Sequence, residues 1–295
     1  MPELPDIEAY RHAISRRAVG HRVTAVRVRG FSLLKTFDPP VDELVGHTLE
    51  SVERSGKRLV LCFSGDLFAV LHLMIAGRLR WSDETGAKLP GKLGLAAIDF
   101  EPGTLILTEA GTRKRASLHL HRSREEVAAH DRGGIEPLQA SHDEFVAALT
   151  RENRTVKRAL VDPRLFSGIG NAYSDEILHR ARLSPVKLSQ KLPAQATHRL
   201  YEATRTVLRE WSGKLIAELD GGWPEKVTAF RPEFAVHGKY GQPCPVCGSP
   251  VQRIRYAANE TNYCATCQND GRLLADRSLS RLLKDDWPRT VDELE

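Results

Sequence analysis

An α+β fold is predicted for this 295-residue chain, and three observations carry the prediction. Apolar residues recur every three to four positions over residues 3–18 and through most of 141–219. Short β-branched or alternating runs, cut by glycine, fill 22–121. Four cysteines stand as two Cys-x-x-Cys pairs between 244 and 267. The expected architecture is an N-terminal helix with a β-sandwich (1–121), a linker (122–140), a helical domain (141–225), a four-cysteine module (226–270) and a tail (271–295). The length suits two compact domains and a small appendage.

Composition narrows the class. Lys and Arg number 43 against 38 Asp and Glu, a net charge of +5, and the pI is near 9.0. A polyanionic partner is suggested, provided the excess is concentrated on one surface. No apolar run approaches the roughly 18–20 residues of a membrane span and the N-terminus lacks the apolar core of a secretion signal. No membrane partner and a cytoplasmic location are therefore expected, with nucleoid association if the source is bacterial.

The first element opens with Met1-Pro2-Glu3-Leu4-Pro5-Asp6-Ile7-Glu8. Leu4, Ile7, Ala9 or Tyr10, and Ile14 share one face, and Gly20 ends the helix. Two readings of its start stand side by side. Pro2 and Pro5 suit a helix N-terminus, with Glu3, Asp6 and Glu8 complementing its positive end. Alternatively, removal of Met1 leaves Pro2 as a secondary amine. An α-amino group titrates near pH ~8, so a useful fraction is neutral and nucleophilic at physiological pH, with the carboxylate of Glu3 beside it.

The β region contains strand-like runs including Val23–Val28, Leu59–Phe63, Phe68–Leu73 and Leu105–Thr108. Ser64-Gly65-Asp66 is a hairpin turn, so Lys57 precedes a strand returning toward His72. Lys57 is either an ordinary solvated lysine or a cation at a strand end on the side of the N-terminus. Beyond the polar linker, Ser141-His142-Asp143-Glu144 resembles a capping box. Helices follow over Val156–Val161, stopped by Pro163, over Ala172–Ala181, and over about Pro193–Leu219. The connection Ser167-Gly168-Ile169-Gly170-Asn171 is either a plain helical turn or a site where helix-start amides approach an anion, with Lys157 and Arg158 adding charge.

Cys244-Pro245-Val246-Cys247 and Cys264-Ala265-Thr266-Cys267 are separated by a stretch suited to two zinc knuckles. Four thiolates leave no open coordination position, so one structural, non-catalytic zinc ion is expected. Arg253 and Arg255 lie between the knuckles and are candidate phosphate contacts. Cys62 stands alone in a strand. Leu273, Leu274, Leu279, Leu282 and Leu283 suggest a short helix in the tail.

Together these motifs resemble the formamidopyrimidine-DNA glycosylase and endonuclease VIII family of base-excision-repair enzymes. The resemblance covers roughly residues 1–270. It rests on Pro2-Glu3-Leu4-Pro5, Lys57, His72-Leu73-Met74-Ile75-Ala76-Gly77, Ser167-Gly168-Ile169-Gly170-Asn171 and the four cysteines. It implies a helical domain built on a helix-two-turn-helix motif and double-stranded DNA with damaged bases or abasic sites as partner, bound by a monomer in the cleft between domains. The implied mechanism flips out a damaged nucleotide. Pro2 attacks its C1′, forms a Schiff base, and cuts the strand by β,δ-elimination, with Glu3 moving protons. Lys57, Gly170 and Asn171 would hold phosphates, and Met74 or Ile75 would wedge into the stack.

The chain departs from the family pattern at several positions. Asp6 stands where a glutamate is usual in the formamidopyrimidine branch. Ile75 occupies the usual position of the wedge methionine. The aromatic-bearing loop of relatives becomes Glu109-Ala110-Gly111-Thr112-Arg113-Lys114-Arg115, leaving Arg113 as its DNA-binding candidate. The arginine of the finger falls near Asn259, so Arg253 or Arg255 would replace it, and the stretch Gly221–His237 is shorter. These changes leave two alternatives beside the bifunctional glycosylase and lyase: a family glycosylase for an unusual alkylated or crosslinked base, or a non-catalytic damaged-DNA-binding protein.

Overall fold

The computed structural model describes residues 1–256, 259–275 and 288–294. The chain divides into two compact units, Met1–Arg132 with Trp211–Thr228, and Gly133–Glu210 with Ala229–Glu295.

The first unit begins with helix α1 (Leu4–Ala18), whose apolar positions Leu4, Ile7, Tyr10 and Ile14 are fully buried. Two antiparallel sheets follow. One has the order β1 (Val23–Val28), β6 (Gly94–Phe100), β7 (Gly103–Glu109), β5 (Gly77–Ser82). The other has the order β2 (Leu49–Ser55), β3 (Arg58–Phe63), β4 (Leu67–His72), β8 (Ser117–His121). One apolar cluster draws on both sheets and on α1, including Ile7, Tyr10, Leu59, Leu61, Leu105 and Leu107, which makes the unit a sandwich. The expected hairpin between β3 and β4 is present, with Gly65 and Asp66 at φ 74° and 56° and Arg58 opposite His72. That register brings the start of β3 beside the end of β4.

The span expected as a linker opens with helix α2 (Arg124–Ala128), where the Ser123 side chain accepts from the Glu126 N–H. Trp211–Thr228 groups with the first unit for a visible reason. Trp223 stacks on Trp81 with ring centroids 6.2 Å apart, lies 5.9 Å from Tyr10, and donates its indole N–H to Leu79 O at 2.9 Å.

The second unit contains α3 (His142–Thr150), α4 (Val156–Val161), α5 (Asn171–Arg180) and the part of α6 (Ala194–Ala217) up to Glu210. The capping box at Ser141 forms reciprocally with Glu144. The finger consists of strands β9 (Gln252–Tyr256) and β10 (Asn259–Tyr263) and the short helix α7 (Ala265–Asn269). Leu273 and Leu274 pack against Ile254, Tyr263 and Ala265. The tail helix expected around Leu279, Leu282 and Leu283 lies outside the described residues. Among the described residues no helix is long and apolar enough to cross a membrane.

Candidate active site and metal centre

Pro2 is buried and Glu3 is 4% exposed. Glu3 is the N-cap of α1 and forms a capping box with Asp6, whose carboxylate accepts the Glu3 N–H at 2.9 Å. The helix-start reading of these residues is therefore realised in the backbone, and it fixes where a terminal amine would stand. The carboxylate of Asp6, one methylene shorter than the usual glutamate, is engaged at the cap.

Lys57 occupies the tight turn between β2 and β3, where Gly56 has φ 60°. Burial lowers the pKa of its ammonium, and the Glu3 carboxylate opposes that shift. The amine of Met1 is shifted below its ordinary value by burial, against the pull of Glu3 and with the help of Arg78 and Lys57. A half-buried N-terminal amine, a buried carboxylate and two cations thus share one neighbourhood. Arg78 was not anticipated. Its guanidinium donates to Val227 O at 2.8 Å, to Ile75 O at 3.1 Å and to Gly77 O at 2.7 Å, so it ties the β4–β5 turn to the segment ending the first unit.

That turn presents the wedge candidates. Met74 has φ 53° and its N–H donates to His72 Nδ1 at 3.0 Å. Burial, then Arg58 and Lys57, bring the His72 pKa down to about 4, so the imidazole stays neutral and accepts. A Cβ at Gly77 would meet Leu73 O at 2.2 Å, which reserves the position for glycine. Met74 is half-buried, whereas Ile75 is 56% exposed. Of the two, Ile75 is the side chain free to enter a base stack.

The basic loop after β7 is held by a buried carboxylate at the end of that strand. Glu109, only 2% exposed, accepts the N–H groups of Arg115 at 2.9 Å and of Ala116 at 3.1 Å. The Lys114 ammonium donates to the Glu109 carbonyl. Arg113 projects outward and is exposed.

In the second unit, Gly168 has φ 82° and Gly170 caps α5 in an extended conformation. Asn171 begins the helix and donates Nδ2–H to Glu260 O of β10 at 2.8 Å. Lys157 departs from the expectation of a surface cation at this turn. It is 8% exposed and ion-paired with Asp175. Asp175 also accepts from His237 Nδ1 at 2.8 Å and from the Asn262 N–H at 3.2 Å. Burying an ammonium without a partner is costly, and Asp175 supplies that partner, so the lysine is held inside the second unit. Glu176 works alongside it, accepting the N–H groups of Ala235, Val236 and His237 at 2.8, 2.9 and 2.9 Å. These two buried carboxylates of α5 fasten the chain that leads into the finger.

Arg253 and Arg255 both face Glu260, at 3.7 and 3.2 Å, and Arg253 lies over the Tyr240 ring, 4.0 Å from its centroid. Arg255 is the more exposed of the two.

The thiol sulfurs of Cys244, Cys247, Cys264 and Cys267 lie within 4.8 Å of one another. The Cys247–Cys264 and Cys244–Cys267 separations are 3.4 and 3.9 Å. Tetrahedral zinc with Zn–S of about 2.3 Å requires sulfurs about 3.8 Å apart, so the cluster fits one structural zinc ion. His179 Nε2 lies 3.3 Å from Cys244 Sγ and donates to it when the sulfur is a thiolate, a second-layer contact that steadies the ligand.

A sandwich headed by a buried Pro-Glu helix start, a helical unit and a tetra-thiolate finger define a zinc-finger protein of α+β architecture. Three family models match it: the formamidopyrimidine-DNA glycosylase N-terminal domain over residues 1–169, the formamidopyrimidine-DNA glycosylase H2TH domain over 134–212, and the zinc finger found in FPG and IleRS over 241–269. The formamidopyrimidine-DNA glycosylase of Thermus thermophilus is 32% identical over 284 residues, covering 92% of this chain and 100% of the relative. An uncharacterized formamidopyrimidine-DNA glycosylase-like protein of Mycobacterium tuberculosis is 41% identical over 155 residues, covering 51% of this chain and 94% of its own. The solved complex of Lactococcus lactis Fpg with abasic-site DNA has a TM-score of 0.78 at 27% identity, over 90% of this chain and 99% of that one. The chain belongs to the formamidopyrimidine-DNA glycosylase family of base-excision-repair enzymes.

Proposed function

We propose that the protein is a bifunctional DNA glycosylase and abasic-site lyase whose nucleophile is the amine of Pro2 after removal of Met1. The observation that carries this reading is the buried start of α1. Glu3 is fixed there by the helix cap, and burial, with Arg78 and Lys57, lowers the pKa of the Met1 amine beside it, surroundings that the Pro2 amine takes over once Met1 is removed. A neutral amine in that place attacks C1′ of a flipped nucleotide. The N–C1′ bond forms as the C1′–N bond to the base breaks, the base leaves with its electron pair, and the amine gives up its proton. Glu3 delivers a proton to the ring oxygen, a role worth about 10²- to 10⁴-fold, so that the C1′–O4′ bond breaks, the sugar opens, and an iminium ion forms between Pro2 and C1′. The iminium acidifies C2′–H, and successive β and δ eliminations release the flanking phosphates.

Lys57 is assigned to a phosphate beside the lesion. Ile75, with Met74 behind it, fills the space left in the stack. Arg113, Gly170, Asn171, Arg253 and Arg255 are assigned to the DNA backbone, and the zinc ion is structural. The protein is taken to act as a monomer in the cytoplasm. Support for a damaged-DNA substrate comes from the Lactococcus lactis relative, solved with abasic-site DNA and with Fapy-dG DNA. A second reading keeps the chemistry and changes the base: the Glu109-held loop carries no aromatic wedge and the Gly221–His237 stretch is shorter, which favours an unusual lesion such as an alkylated or crosslinked base.

The test is borohydride trapping on end-labelled abasic duplex. Protein with a processed N-terminus is expected to form a covalent adduct that Pro2→Gly loses. No adduct on abasic or oxidised DNA overturns the lyase assignment and leaves a non-cutting damaged-DNA binder.

A further inference from the structure

Three histidines that the catalytic reading leaves unused converge on the outer face of the second sheet. Alternation along β8 puts Ser117, His119 and His121 on one side, and His130, two residues beyond the end of α2, closes over them. His121 Nε2 and His130 Nε2 are 2.8 Å apart. The His130 ring lies 4.5 Å from that of His119 and 5.0 Å from that of His121, centroid to centroid.

His121 Nδ1 faces Glu126 Oε2 at 3.7 Å, which leaves Nε2 turned toward His130, and His119 stands opposite Val70 in the β4–β8 register. An outer carboxylate of this kind sets the tautomer and turns the remaining nitrogen of an imidazole into a ligand. We propose that His121 and His130, with His119 as third ligand, form a second metal site for a divalent transition ion of the Zn2+ or Ni2+ type, separate from the four-cysteine centre.

The geometry is near what such an ion requires. Zn–N distances of about 2.0–2.1 Å place tetrahedral ligand nitrogens about 3.3 Å apart, so the His121–His130 pair needs to open by about half an ångström. The metal then replaces the single proton the pair shares. His119 joins by side-chain rotation; among the described residues the four thiols are the one group of three or more ligands already gathered. All-imidazole donors suit zinc, nickel and copper over magnesium or calcium.

An imidazole with an ordinary pKa of about 6.5 is mostly neutral at pH 7.5 and able to bind a metal ion. The charged groups facing the cluster are Arg58 and Lys35, which oppose a dication, and the Glu126 carboxylate, which favours one. Their balance points to an affinity weaker than that of the four thiolates.

The test is zinc stoichiometry by equilibrium dialysis and elemental analysis on the full-length, zinc-loaded protein at pH 7.5. Two equivalents are expected for the unchanged protein. His130→Asn and His121→Asn are each expected to hold one, with the retained cysteine-site zinc serving as the check on folding. Glu126→Gln is expected to weaken the second equivalent about tenfold. One equivalent in the unchanged protein, or a second equivalent that survives both histidine substitutions, overturns the proposal. Neither outcome bears on the lyase reading, which trapping decides separately.

Discussion

Replacing Lys157 by methionine separates a structural lysine from a DNA-binding one. The Lys157 ammonium and the Asp175 carboxylate form a buried pair in which Asp175 has no exposure at all. Removing one member of such a pair typically costs about 3–5 kcal/mol, because a charge is left buried and uncompensated. Asp175 keeps its contacts with His237 and Asn262, which places the loss at the lower end, about 3 kcal/mol. At about 2–4 °C per kcal/mol for a domain of this size, the unfolding transition of the second unit is expected to fall by about 6–12 °C. A phosphate contact behaves differently. Its loss flattens the dependence of log K on log salt by about 0.9 per contact. Calorimetry combined with DNA-binding titrations across a salt series therefore reads both quantities on one variant. The expected result is a large fall in melting temperature with an unchanged salt slope. A melting temperature within about 1 °C of the parent, together with a slope reduced by about one, refutes the assignment.

Other perturbations follow from the same geometry. Zinc chelation should unfold the finger, since structural zinc contributes on the order of 10 kcal/mol to such modules; limited proteolysis near residues 241–269 with and without chelator reads this directly. Ile75→Ala should leave the melting temperature almost unchanged, because the side chain is mostly exposed, while lowering kcat/KM on duplex DNA more than on single-stranded DNA. Glu109→Ala leaves the Arg115 and Ala116 N–H groups without their acceptor, at a cost of about 2 kcal/mol, and should expose the basic loop to protease. The first unit should lose stability as pH falls from about 6.5 to about 4. The pKa of His72 is lowered on folding, so the unfolded chain binds more protons throughout that window; denaturant titrations at pH 7 and pH 5 measure the difference, and His72→Gln should diminish it.

What could be read before the structure was mostly local. Leu4, Ile7, Tyr10 and Ile14 announced α1 by period, Ser141 and Glu144 announced the start of α3, and Gly65-Asp66 announced a hairpin because those residues accept positive φ. The four cysteines carried their own geometry. Other elements were hidden by context. Strand β6 is buried along its whole length, so it lacks the alternation of a half-buried strand, and the charges of β2 obscured its pattern. The burial of Lys157 is not legible in the sequence because its partner lies eighteen residues away on the next helix, a tertiary fact that helix periodicity does not reveal. Glu109 ends β7 and binds amides six and seven residues on, and no spacing rule marks such a loop clamp. Trp223 belongs with the first unit through Trp81 and Tyr10, contacts that its position after the long helix gave no reason to expect. The His-Leu-His alternation of β8 was visible, but His130, which completes the cluster, comes from beyond α2.

The most direct test of the central claim is peptide mapping of the borohydride-reduced adduct. After nuclease and protease digestion, tandem mass spectrometry should locate a reduced deoxyribose remnant on the nitrogen of Pro2, in a peptide that lacks Met1. A remnant on Lys57 or another lysine, or adduct formed by protein that retains Met1, would contradict the account.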